Sequence, residues 1–170
     1  MDFPIKIRPQ QGDTDLEEIC AINAAAFAEH GGTEAFDRFR AERDDIISLV
    51  ASSGDEIIGH VLFSPVTLIT PSGKVAGMGL GQLAVKPQWQ NQGIGTKLGA
   101  AGITELRAGD CPFIIVIGHA KYYPRFGFEA GSSHGVTCQW EGVPDETFMV
   151  LFLDSAQRDS LQGVASFDGL

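Results

Sequence analysis

Apolar and polar residues alternate in Ile5-Lys6-Ile7-Arg8, a period of two that predicts a short strand closed by Pro9. From Asp13 to Phe27 the period lengthens. Leu16, Ile19, Cys20 and Asn23 recur at helical spacing, and Thr14 with Glu17 has the form of a capping box. His30-Gly31-Gly32 breaks that helix, and Thr33 to Asp44 reads as a second, charged one with Phe36 and Phe39 on one side. Ile46–Ser52 and Ile57–Thr70 flank Ser53-Gly54-Asp55 as two strands of a hairpin. After Pro71-Ser72-Gly73 a third strand, Val75 to Val85, completes a meander and ends at Lys86-Pro87. Thr96 to Ala108 reads as a helix. Pro112 to Gly118 reads as a strand apolar on both faces. Lys121–Phe126 allows only a short helix, because Pro124 suits only its beginning. Gly135–Trp140 and Phe148–Asp154 read as a closing antiparallel pair, with a weak strand at Val164–Phe167. The order β-α-α-β-β-β-α-β-α-β-β predicts an α/β fold with a mixed, α+β type of sheet.

The length of 170 residues predicts a single domain, with a core over about 5–153 and a C-terminal tail over 154–170. With 44% hydrophobic and 20% charged residues the chain has a globular composition, which excludes a disordered protein. No apolar run approaches the roughly 20 residues of a membrane span. The start, Met1-Asp2-Phe3-Pro4, has neither a basic nor an apolar leader region, so no signal peptide is expected. Cys20, Cys111 and Cys138 are odd in number and widely spaced, as in a reducing cytoplasm, where the chain is expected to reside. The four histidines form no ligand pattern, so no metal is expected. A net charge of −10 disfavours nucleic acid. The charge is uneven: net −8 over 1–60, +3 over 61–130 and −5 over 131–170. A mildly basic centre between acidic ends suits a phosphate-rich ligand with a cation beside it.

The chemistry concentrates in residues 79–96, GLGQLAVKPQWQNQGIGT. A strand ends at Val85, a proline turn follows, and glycine-rich backbone enters a helix. The start of that helix offers unpaired N–H groups and the positive end of the dipole, and Gln90-x-x-Gly93-x-Gly95 lets backbone approach a ligand closely. The result is an anion cradle suited to a diphosphate. It is not a P-loop, because GxxxxGK[ST] is absent. Gly77-Met78-Gly79-Leu80-Gly81 is followed by strand and not by helix, so it is no dinucleotide turn.

These residues resemble the GNAT-type N-acetyltransferases. The resemblance rests on Leu83-Ala84-Val85-Lys86-Pro87 followed by Gln90-Asn91-Gln92-Gly93-Ile94-Gly95. It rests equally on His119-Ala120-Lys121-Tyr122-Tyr123-Pro124-Arg125-Phe126-Gly127-Phe128 after an apolar strand. It runs over about residues 5–153 and is similar to a bacterial branch with a GHxxYYPRFGF segment.

The resemblance implies a mostly antiparallel central sheet, splayed between two parallel strands and flanked by helices. It implies acetyl-CoA as cosubstrate. The pantetheine would bond to backbone at Leu83, Ala84 and Val85, the backbone of Gln92, Gly93, Ile94, Gly95 and Thr96 would wrap the diphosphate, and Gln90 and Asn91 would also belong to the cofactor site. His119 and Tyr122 would stand beside the cofactor. An amine would attack the thioester directly in a ternary complex, with an amide N–H near Leu83 or Ala84 as oxyanion donor. Tyr123, four residues before Gly127, occupies the position of the general acid for the leaving thiolate. The strand Val75–Val85 has no Asp, Glu or His to act as base, which leaves Glu34, His30, His60 and His119, with His119 favoured at the end of the apolar strand. The acceptor is expected to be a small-molecule amine or a protein amine, and the acidic flanks point to a cationic one. A homodimer is expected; a nucleic acid or membrane partner is not. A longer acyl group and a non-catalytic acyl-CoA sensor remain open alternatives.

Overall fold

The computed structural model describes residues 4–29 and 33–170. Its strands are β1 (Ile5–Pro9), β2 (Ile47–Ser53), β3 (Glu56–Thr70), β4 (Gly73–Val85), β5 (Phe113–Ile117), β6 (Glu129–Ala130), β7 (Val136–Cys138), β8 (Phe148–Phe152) and β9 (Gly163–Phe167). Its α-helices are α1 (Gly12–Ala26), α2 (Glu34–Glu42) and α3 (Ile94–Ala108). Strand pairing follows the order β1-β2-β3-β4-β5-β8-β6, with β9 joined to β3 and β7 joined to β9. Most pairs are antiparallel. β4 with β5 and β7 with β9 are parallel. The mixed sheet and the parallel β4–β5 pair agree with the sequence reading.

The chain packs as two compact units. One comprises the residues up to Phe63 together with Gly81–Thr104, and the other Ser64–Leu80 with Glu105–Leu170. In the first unit β1, β2 and the first half of β3 pair in antiparallel register. The alternation of β3 sends His60 toward Asn23 of α1, and Phe63 toward α3 on the opposite face. Helix α3 lies so close that a Cβ on Gly102 would stand 2.1 Å from the Phe63 ring. Alanine is the better helix former by about 1 kcal/mol, yet overpacking costs about 1–3 kcal/mol. Gly102→Ala is therefore expected to lower stability in urea denaturation, against its propensity.

The start of α1 departs from the predicted capping box. The helix begins at Gly12, so Thr14 is already its third residue, and Gln11 is the N-cap. The Gln11 backbone N–H donates to the Asp15 carboxylate at 2.7 Å, and Arg8 from β1 grips the same carboxylate at 2.5 and 3.0 Å. The Arg8 hydrogen bonds hold the Asp15 carboxyl below the usual carboxylate range. Asp15 thus receives the orphan donor that Thr14 and Glu17 were expected to manage.

In the second unit β5 pairs with β4 on one side and with β8 on the other, which explains its continuous apolar run. The expected closing pair is not formed. β8 lies between β5 and β6, and β7 instead runs parallel to β9. The reason lies in burial. Four of the five β8 residues are buried, as a strand with neighbours on both sides requires, while three-residue β7 exposes Thr137, as an edge strand does. The segment read as a tail supplies β9, which pairs with Val66–Ile69 of β3 and buries Ala165 and Phe167 in this unit's core.

Candidate active site

Strand β4 outlasts its pairing with β5. The parallel register joins Met78, Gly79 and Leu80 to Ile114, Ile115 and Val116, and Gly81–Val85 lie past it. That continuation is anchored in the first unit. Ala84 packs among Ile19, Ile22, Val50 and Ile57, and the Lys86 N–H donates to the Ile58 carbonyl at 2.9 Å. Leu83 and Val85 are half-buried.

A single 3-10 turn at Pro87–Trp89 leads into the loop. The Gln90 side-chain amide donates back to the Val85 carbonyl at 3.0 Å, and that of Gln92 to the Gln88 carbonyl at 3.3 Å. Both glutamines therefore brace the loop. Asn91 and Gly93 adopt left-handed backbone, with φ of 61° and 79°, which turns the chain into α3. The space where a Gly93 Cβ would point is open to 4 Å. The first intrahelical bond runs from the Lys97 N–H to the Gly93 carbonyl at 3.0 Å, so the amides of residues 93–95 precede the helical ladder. Ile94 and Leu98, both fully buried, pin the first turn. This glycine-containing backbone at the positive end of a 15-residue helix suits an anion. Next to it, a cavity of about 370 Å³ opens between Ala21, Ala25 and Ala26 of α1 and Val85, Pro87 and Gln90.

In the second unit the short apolar strand β5 is followed by a 3-10 turn at Tyr123–Phe126, capped by left-handed Gly127. The amides of Tyr122 and Tyr123 both donate to the His119 carbonyl. Tyr123 is buried, with ring centroids of Tyr122 at 5.2 Å and Phe128 at 5.8 Å. Its ring lies against Gly118, where a Cβ would stand 2.3 Å from it, so the glycine after β5 is what admits the ring. Burial, with a smaller contribution from Tyr122, pushes the phenol up to about 12. Tyr122 is half-buried beneath the Arg125 guanidinium, 3.9 Å from the ring centre.

The candidate bases separate clearly. Glu34 and His119 are exposed, and His30 lies outside the described residues. His60 is fully buried in the first unit. Ser48 Oγ donates to Gln10 Oε1, so it accepts from His60 Nε2–H at 2.9 Å, and His60 Nδ1 accepts from the Asn23 amide at 3.0 Å. Both ring nitrogens are engaged, and burial together with the Arg40 charge lowers the imidazole to about 3. His60 is therefore a structural histidine and no base for an incoming amine.

A histidine depressed in the folded state lends stability above its unfolded value of about 6.5 and loses it as pH falls toward the folded value. Each pH unit below 6.5 costs about 1.4 kcal/mol, or about 2 kcal/mol at pH 5. Urea titrations between pH 7 and 5 are expected to show that loss, and the non-titrating His60→Gln variant a flatter profile.

Spacing gave no sign of one further pair. The Arg40 side chain is fully buried and donates to Gln82 Oε1 at 2.6 Å, so α2 is clasped to β4 just ahead of Leu83–Val85. Arg40 also pairs with Asp37 and reaches Cys20 Sγ at 3.7 Å. In the sequence Arg40 reads as one more charge on a charged helix.

Among the described residues no cluster of His, Cys, Asp and Glu could hold a metal ion, and no helix is long and apolar enough to cross a membrane. A protein-family model described as an acetyltransferase (GNAT) domain matches residues 6–131. Two curated relatives come from Escherichia coli strain K12. The uncharacterized N-acetyltransferase YjhQ is 40% identical over 83 residues, 49% of this chain and 46% of its own, so the chain spans about half of YjhQ's length. The uncharacterized N-acetyltransferase YhbS is 31% identical over 119 residues, 69% of this chain and 68% of its own. Among solved structures, E. coli YhbS in complex with CoA shares the fold at a TM-score of 0.87 and 24% identity, covering 97% of this chain and 90% of that one. A GNAT family acetyltransferase from Brucella melitensis in complex with acetyl-CoA gives a TM-score of 0.77 at 29% identity, covering 96% of both chains.

Proposed function

The chain belongs to the GNAT acetyltransferase family, and on that premise we propose that it moves an acetyl group from acetyl-CoA to an amine by direct attack. The observation that carries the reading is the loop at Asn91–Gly95, whose left-handed backbone at Asn91 and Gly93 turns the chain into α3 and leaves the amides of residues 93–95 ahead of the helical ladder. Gly93, Ile94, Gly95 and Thr96 receive the diphosphate there, while Gln90 and Gln92 hold the loop in shape. Gly81–Val85, past the β4–β5 register, offers strand backbone to the pantetheine amides in the manner of an added strand. The amide N–H near Leu83 or Ala84 steadies the oxyanion that develops on the thioester carbonyl.

Tyr123 is the residue assigned to the leaving sulfur. A phenol raised to about 12 stays protonated throughout the working pH range. Complete proton transfer to a thiolate of pKa about 8.5 would be uphill by about 5 kcal/mol. Tyr123 therefore acts chiefly as a hydrogen-bond donor that stabilises the thiolate as the C–S bond breaks. The nucleophile is an amine that arrives neutral; its nitrogen forms the new C–N bond as the C–S bond breaks, and the proton it sheds passes to the leaving thiolate through water, so that β4, which has no Asp, Glu or His, need supply no base. The test is thiol release from acetyl-CoA across an amine panel, with products identified by mass spectrometry. An acetylated amine formed in step with free thiol supports the reading. Binding of acetyl-CoA with no release on any amine would favour a sensing role instead. Because the Tyr123 value is raised, no alkaline loss of kcat is expected below about pH 10.

A further inference from the structure

The Arg40–Gln82 pair determines what β4 presents to a ligand. A guanidinium has donors only, so the atom it meets at 2.6 Å is the Gln82 carbonyl oxygen and the amide cannot be flipped. The NH2 end must then face away from Arg40. No group among the described residues accepts a hydrogen bond from it, although Gln82 is only 3% exposed. Arg40 is itself immobilised. Asp37 Oδ1 accepts from Arg40 and from the Cys20 thiol, and Asp37 Oδ2 accepts from Thr33. The Asp37 carboxylate balances the guanidinium, so the cluster carries no net charge and no free carboxylate for an ammonium. What it offers is a fixed pair of N–H donors. The half-buried Phe36 ring stands beside it over Gly81, where a Cβ would be 2.5 Å from the ring. Both Gly81 and Gln82 lie past the β4–β5 register and directly before Leu83.

We propose that Gln82, held in one orientation by Arg40, is a specificity-determining residue that donates a hydrogen bond to a carbonyl-type oxygen on the acyl acceptor. The acceptor class is then an amine with a neighbouring carbonyl, such as an amino acid, its amide or a peptide N-terminus, and not a bare polycation. The assignment rests on the acetyl-transfer reading, in which the thioester lies against the Leu83–Ala84 backbone next to Gln82. The Phe36 ring supplies an apolar wall, which favours acceptors with a large side chain over glycine-like ones.

Phenylalaninamide and phenethylamine form a matched pair that differs by the carboxamide alone, and spermidine represents the polycations. With wild-type enzyme, kcat/KM for phenylalaninamide is expected to exceed that for phenethylamine and for spermidine by about ten- to a hundredfold, the range for one buried hydrogen bond. Gln82→Met preserves size and removes the donors. Gln82→Glu also lacks them and takes Arg40 as an ion-pair partner. Either variant should raise KM for phenylalaninamide and bring the two amines within about threefold, with acetyl-CoA affinity unchanged. Arg40→Lys should lie between, because a freed amide can turn either end outward. A preference left intact in the folded Gln82 variants, or a wild-type preference for spermidine, overturns the assignment while acetyl transfer stands. Absence of acetyl-CoA binding by calorimetry would remove the acetyl-transfer reading itself, and this assignment with it.

Discussion

Tyr123→Phe is expected to lower kcat by about two to three orders of magnitude while acetyl-CoA affinity stays within about twofold. The range follows from what one positioned hydrogen-bond donor contributes to a developing negative charge. The substitution removes one oxygen and leaves the ring, and the ring contacts with Tyr122, Phe126 and Phe128 are what hold this turn together. Stability should therefore change little, and a melting curve checks it. Stopped-assay thiol release and calorimetry separate the two parameters. A variant as fast as wild type would remove Tyr123 from the chemistry and leave it a packing residue.

The second large effect is expected at the cradle. Gly93→Val places a β-branched residue at φ 79°, a conformation that costs an L-residue about 1–2 kcal/mol or more. Apart from its chain neighbours nothing stands within 4 Å of the new Cβ, so the substitution meets no packed side chain there. The strain is relieved by relaxing the loop, which misaims the amides of residues 93–95. Acetyl-CoA affinity is expected to fall at least tenfold, since about 1.4 kcal/mol corresponds to a factor of ten, with kcat less affected at saturation. An unaltered Kd in a folded Gly93→Val protein would show that the loop does not hold the diphosphate.

The sequence made local features visible and hid distant ones. The Gly93-x-Gly95 spacing after Val85 announced the cradle because turn, glycine and helix start are contiguous in the chain. The parallel β4–β5 pair was implied by the family resemblance, which itself rests on contiguous motifs. Partnerships across long separations were not readable. Even a nearby one was hidden: Asp15 accepts from the Gln11 amide and pairs with Arg8 of β1, and so displaces the Thr14–Glu17 box. β7 selects β9 and not β8, because the partner of an edge strand depends on which faces the rest of the chain has already covered. Arg40 and Gln82 lie 42 positions apart, and neither residue type indicates that one will be buried against the other. His60 reads as a titratable candidate in sequence. The Asn23 and Ser48 partners that make it a neutral core group come from α1 and β2.

The central claim, that main-chain donors at the start of α3 hold the diphosphate of acetyl-CoA, is tested most directly by calorimetric titration of the wild-type protein with acetyl-CoA and with S-acetylpantetheine, which has the same thioester arm and no diphosphate. The account predicts saturable binding of acetyl-CoA, weakened by added salt, and binding of S-acetylpantetheine weaker by at least two orders of magnitude. Equal affinity for the two compounds, or no heat with either, would contradict it.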